Sequence, residues 1–143
     1  MPEMTLKRLA EISEEIFAPW VKALGVEATE VGDGWVLFRM PANPDVTRRG
    51  GPGGGVVSGQ AVAAAADTAS VLALITLNDA LRPCTTVDIT THFARPLPEG
   101  DAEIKVEAVS NGRRMAVTRA EIRAAGAAKN SAVATLTFAY LDA

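Results

Sequence analysis

The chain has 143 residues, 48% hydrophobic and 22% charged, with a formal net charge of −3. That suits one domain, spanning 1–143, with a core of its own, and it gives no general electrostatic drive toward nucleic acid. One cysteine, Cys84, and one histidine, His92, exclude an internal disulfide, a multi-cysteine or histidine-rich metal site, and any mechanism needing two histidines.

In chain order, the opening stretch MPEMTLKRLAEISEEIF mixes acids and bases where a secretory signal would carry an apolar core. From Thr5 to Val21, Leu6, Leu9, Ile12, Ile16, Phe17 and Trp20 recur at helical spacing, and Pro19 should end or kink that helix near Ala18. Val26 to Met40 reads as a hairpin turning at Gly32-Asp33-Gly34. Pro41 to Gly55 is a proline- and glycine-rich loop that carries Arg48 and Arg49. Ser58 is a good N-cap for a helix from Gly59 to about Leu77, with Asn78 as its stop signal. This helix is apolar enough to resemble a membrane span. Asp67, Thr68, Ser70, Thr76 and its many alanines point instead to a buried helix in a cytoplasmic protein with no membrane partner.

Beyond Pro83 the pattern becomes that of strands. Thr85–Arg95 is rich in β-formers, Ala102–Val109 alternates with Ile104, Val106 and Ala108 on one face, and Asn111-Gly112 signals a hairpin. Met115–Arg123 returns, Gly126 turns the chain, and Ser131–Leu141 is the last strand. A helix apolar on nearly all sides must be covered on nearly all sides. The economical solution is a curved antiparallel sheet of five or six strands wrapped around it, an α+β arrangement with an N-terminal helix. Two such sheets joined edge to edge would each hide an exposed edge.

Three features around the long helix carry chemistry. Its N-terminus offers unpaired N–H groups and a positive dipole end, unobstructed at Gly59, suited either to a phosphate or to the oxyanion of acyl transfer; equally, the glycines there permit a tight turn. Asp67 is the one charged residue between Gln60 and Leu77, on the same face as Gln60. An ionised carboxylate there is costly without partners, which favours a general base or nucleophile over a structural aspartate capping a loop. Arg113-Arg114, Arg95 and Arg48-Arg49 suit phosphate recognition as a group, although any single one reads as solvated surface charge. The glycine run is no P-loop, because Gln60-Ala61 stands where Lys-Ser/Thr is required, and Ser58 lies outside a G-x-S-x-G elbow. His92 and Asp88, both mid-strand, read as structural.

The blocks Val57-Ser58-Gly59-Gln60 through Asp67-Thr68-Ala69, Thr86-Val87-Asp88 through Phe93-Ala94-Arg95-Pro96 and Gly100-Asp101, together with Gly112-Arg113 before Ala116-Val117, resemble the hotdog-fold acyl-CoA thioesterases of the phenylacetate-pathway type. The resemblance runs from about Val26 to Leu141. In that family the central helix opens His-Gly-Gly and an acid follows nine residues after the histidine. Ser58 therefore stands in the histidine position, Gly59 matches the first glycine and Gln60 replaces the second. The resemblance implies that the Gly59 N–H polarises the thioester carbonyl, that Asp67 is base or nucleophile, and that Thr86 falls where relatives carry a water-positioning serine. It also implies a homo-oligomer, a dimer or dimer of dimers, with Asp67 working beside Gly59 of the other subunit. Coenzyme A, part of the substrate and not a cofactor, would meet Arg113, Arg114 and Arg95. No metal is implied. The expected activity is hydrolysis of a small or medium acyl-CoA. The alternatives are a non-catalytic acyl-CoA binder on the same scaffold, which should tolerate Asp67→Asn, and a hotdog hydratase, disfavoured because His92 is not on the helix.

Overall fold

In a computed structural model, residues 4–142 are described; the first three residues of the opening stretch and residue 143 lie outside them. The amphipathic pattern of the N-terminal segment gives α1 (Leu6–Ile16), capped by Thr5, whose hydroxyl accepts the Arg8 N–H. Leu9 and Ile12 are its buried face. The predicted single helix divides at Phe17 and Ala18, and Pro19 starts a separate turn, α2 (Pro19–Lys22), in the first-turn position that proline tolerates.

The hairpin β1 (Glu27–Val31) and β2 (Trp35–Met40) closes through Gly32-Asp33-Gly34, with Gly34 at φ 76°. A short 3₁₀ turn at Pro44–Val46 interrupts the following loop. The helix α3 (Gly59–Asn78) begins where Ser58 caps it and ends at Asp79 in the left-handed region (φ 52°), one residue beyond the predicted stop. Four strands follow: β3 (Cys84–Phe93), β4 (Ala102–Asn111), β5 (Met115–Ala124) and β6 (Ala132–Tyr140). The β4–β5 turn differs from expectation. Gly112 is still cross-strand bonded, its N–H donating to the Met115 carbonyl, so Arg113-Arg114 form the tip rather than Asn111-Gly112.

All strands join one antiparallel sheet in the order β1-β2-β4-β5-β6-β3. α3 packs against every strand of it. Val36, Phe38, Ile104, Val106, Ala120, Ile122, Leu136 and Phe138 meet Ala65, Ala66, Ala69, Leu72 and Ala73 of the helix in one core. The alanines let the helix lie close to the sheet, which is why a helix of such low amphipathicity can be enclosed. Among the described residues α3 is the one helix long and apolar enough to cross a bilayer, and most of it is spent on this core. The helix face carrying Gln60, Ala63, Ala64, Asp67 and Val71 stays at least partly open. β3 and β1 are the sheet's edges.

Candidate active site

The loop before α3 leaves and returns on itself. Arg48 N–H donates to the Val56 carbonyl and Gly55 N–H to the Arg48 carbonyl, so the glycines lie between paired ends. Gly53 sits at φ +81° with the Arg48 guanidinium against it; a Cβ there would lie 2.8 Å from Nη1. At the helix start Ser58 Oγ accepts the Ala61 N–H at 3.2 Å, and the Ser58 carbonyl accepts that of Val62. The Gly59 and Gln60 amides, in exposed residues, are left over at the helix end. Ser58 is thus a cap.

Clefts flank this end of α3. One, of about 410 Å³, is lined by Arg48, Gly59, Phe93, Arg95 and Leu97. The Phe93 ring stands so close that a Cβ on Gly59 would meet it at 3.3 Å. The other, of about 540 Å³, is lined by Trp20, Leu24, Pro41, Asn43, Gln60 and Ala61. Asn43 itself is occupied in local structure, accepting the Asp45 N–H and donating to the Ala23 carbonyl.

Asp67 lies on the open face of α3, two turns further on, and its Oδ1 accepts the Thr86 hydroxyl of β3 at 2.8 Å. Burial raises its pKa above the usual aspartate range, while the Thr86 bond opposes the rise. The nearby Cys84 thiol is also pushed up, by burial and then by the Asp67 charge, and is not poised as a thiolate. The fold therefore joins Asp67 to Thr86, and Gly59 to Arg95. Within the chain it does not join these pairs: Gly59 and Asp67 are eight residues apart on α3, about 12 Å along the axis.

Comparison with known proteins decides the family. Residues 43–139 match the family described as the acyl-CoA thioesterase N-terminal domain. The chain belongs to this thioesterase family. A variant of the phenylacetic acid degradation protein PaaI from Thermus thermophilus is 26% identical, covers 87% of this chain and 100% of its own, and superposes with a TM-score of 0.70. Thioesterase HI1161 of Haemophilus influenzae, 24% identical over 95% of this chain and 90% of its own, shares the fold at a TM-score of 0.79. SSO1253 of Saccharolobus solfataricus, whose name describes an esterase, is 27% identical over 118 residues, 81% of this chain and 73% of that protein.

The thioesterase has a hotdog fold, as the resemblance implied. Its arginines lie at both ends of α3. Arg113 and Arg114 lie at the far end of α3, since Arg114 O accepts the Tyr140 N–H and the Tyr140 hydroxyl bonds to Asn78, the last residue of the helix. Arg95 is beside Gly59 and donates to the Asn130 carbonyl. Arg48, one of the loop arginines suited as a group to phosphate recognition, shares that cleft. Phe93 was not read as a site residue; an aromatic in a β-rich segment carries no sign that its strand is a sheet edge. His92 and Asp88 are exposed on β3 and take no part in the site, Asp88 accepting only the Thr90 hydroxyl. Among the described residues no cluster of three or more His, Cys, Asp or Glu is grouped to hold a metal.

Proposed function

We propose that this thioesterase hydrolyses a small or medium acyl-CoA with Asp67 of one subunit and the Gly59 N–H of another. The observation that carries this reading is the separation of the two groups on one helix, set against their positions along β3. Asp67 is bonded to Thr86 and Gly59 lies against Phe93. Because β3 bulges between Thr86 and Asp88, Thr86 and Phe93 pair with Phe138 and Ala132 of β6, three residues on either side of Thr135, so the midpoint between them is its partner Thr90. An antiparallel pairing of two β3 strands about that point brings Thr86 of one subunit opposite Phe93 of the other, and Asp67 to the partner's Gly59. The same pairing brings the Arg113-Arg114 tip to the mouth that holds the partner's Arg48 and Arg95.

In this arrangement the thioester carbonyl oxygen accepts from the Gly59 amide, where the helix dipole favours the charge that develops. Acting as base, Asp67 takes a proton from water as the oxygen attacks the carbonyl carbon, with Thr86 fixing the carboxylate. The tetrahedral oxyanion collapses, the C–S bond breaks, and the CoA sulfur takes the proton back from Asp67. Acting as nucleophile, Asp67 would instead form an anhydride that water opens. Ser58 and Gln60 frame the helix end, and Arg113, Arg114 and Arg95 face the CoA phosphates.

Thiol release from a panel of short, medium, long and aromatic acyl-CoAs tests this, with wild type beside Asp67→Asn. Turnover by wild type, reduced in the variant by about 100-fold or more as expected for loss of a general base, supports the hydrolytic role. Binding without turnover in both proteins would replace it with the acyl-CoA-binding alternative.

A further inference from the structure

At the C-terminal end of α3 a set of side chains clamps one short turn. Asn78 Nδ2 donates to the Tyr140 hydroxyl at 2.9 Å, that hydroxyl donates to Asn111 Oδ1 at 2.6 Å, and Asn111 Nδ2 donates to Asn78 Oδ1 at 2.7 Å. This closed ring ties the last turn of α3 to the ends of β4 and β6. The Arg82 Cζ lies over the Tyr140 ring, 3.6 Å from its centroid. Its Nε and Nη2 bond to both Asp142 oxygens at 3.0 and 2.9 Å. Its remaining donors reach the Gly112 carbonyl at 3.3 Å and the Arg113 carbonyl at 2.6 Å, and the Tyr140 N–H takes that of Arg114.

Consecutive carbonyls of an exposed turn are thus all bonded from outside the turn. The turn already has its own cross-strand bond, from the Gly112 N–H, so closing the hairpin does not require the clamp. The clamp also has an electrostatic cost. Arg82 brings a third guanidinium to a tip that carries Arg113 and Arg114, and Asp142 neutralises only one of the three. Among the described residues no carboxylate lies within ion-pair distance of Arg113 or Arg114. A rigid backbone under two unpaired, forked cations is a preorganised receptor for an anion, because the ordering cost is met before binding.

We propose that Arg82 is a positioning residue, holding the Arg113-Arg114 turn through its carbonyls so that both guanidinia meet the phosphates of the CoA thioester. The proposal rests on the hydrolytic reading above and extends it to a residue that touches no substrate. Arg is required because one planar fork must stack on Tyr140, bridge Asp142 and still donate to two carbonyls; the point charge of lysine cannot do all of these.

The test compares two thioesters of one acyl group, the CoA ester and the N-acetylcysteamine ester, which lacks every phosphate. Arg82→Gln should raise KM for the CoA ester about tenfold, the size of a lost charge-assisted contact, with kcat within about twofold and no change for the truncated ester. Arg82→Lys should not restore it. Asp142→Asn, which keeps the stack, should give a smaller rise of the same kind and serves if Arg82→Gln fails to fold. Equal losses on both esters would reduce Arg82 to a stability role and overturn the proposal, as would unchanged KM values. If Arg113→Ala and Arg114→Ala leave KM for the CoA ester unchanged while hydrolysis proceeds, the turn does not meet CoA and the positioning role falls while the hydrolytic reading stands. No turnover of either ester by wild type would overturn both.

Discussion

At the scale of single residues, the proposed mechanism turns on Asp67 and Thr86. In it the carboxylate must be ionised to act; burial holds its pKa above the ordinary aspartate value while Thr86 pulls it back. Thr86→Val keeps the shape of the side chain and removes the opposing hydrogen bond, so the Asp67 pKa rises further. Activity is lost as pH falls through that pKa. The acid limb of the kcat/KM profile therefore moves to higher pH in Thr86→Val, with less activity along that limb and a smaller difference on the alkaline plateau. An unshifted acid limb would separate Thr86 from Asp67. The same burial has a sign for stability. A carboxyl whose folded pKa is raised binds its proton more tightly when folded, so stability declines as pH rises from the unfolded value through the folded one. Asp67→Asn, which can still accept from Thr86, should melt no lower than wild type at neutral pH while losing activity. Asp67 was legible in the sequence because a lone acid in an alanine helix has few bland explanations. Its bond to Thr86 was not, since 19 residues and a change of element separate them; only the family resemblance put the two together.

At the scale of elements, the apolar helix and alternating strands are read directly from residue spacing, and the sheet they form is the one the spacing predicts. What spacing does not show is where polar groups inside the core find partners. Ser70 and Thr118 are fully buried, and the Thr118 hydroxyl donates to Ser70 Oγ at 2.8 Å across the α3–β5 interface. Ser70→Ala strands the Thr118 hydroxyl and should cost about 1–3 kcal/mol in denaturant unfolding. Ser70→Ala combined with Thr118→Val removes both polar groups with little change of volume and should recover most of that loss. A double variant as unstable as the single one would show that packing, not the hydrogen bond, sets the cost. The β4–β5 turn illustrates the other limit. Asn111-Gly112 is a strong local hairpin signal, yet Asn111 is drawn into the ring with Asn78 and Tyr140, and the tip moves on to Arg113-Arg114. A tertiary network outweighs the local preference there.

At the scale of the whole molecule, the sheet's edges are built differently. β1 presents exposed Glu27 and Glu30, the charged edge that discourages pairing. β3 spans ten residues and leaves Val87 56%, Ile89 39% and Phe93 56% exposed. Such an edge invites a second copy, and a two-fold interface repeats each contact in both directions. The register inferred above sets Thr90 on the symmetry axis and Ile89 next to it, so a charge placed at Ile89 lies diagonally across from its own copy, about 7–8 Å away. Ile89→Lys is exposed in the protomer and leaves the core intact, so its far-UV spectrum should match wild type. In sedimentation equilibrium wild type should run as a dimer, and the variant should shift toward the monomer. Hydrolysis should fall with the dimer fraction, because a monomer holds Asp67 and Gly59 on one helix but about 12 Å apart. Wild type that sediments as a monomer while turning over substrate would overturn the shared site, and would require a single protomer to supply base and oxyanion donor from groups other than this pair.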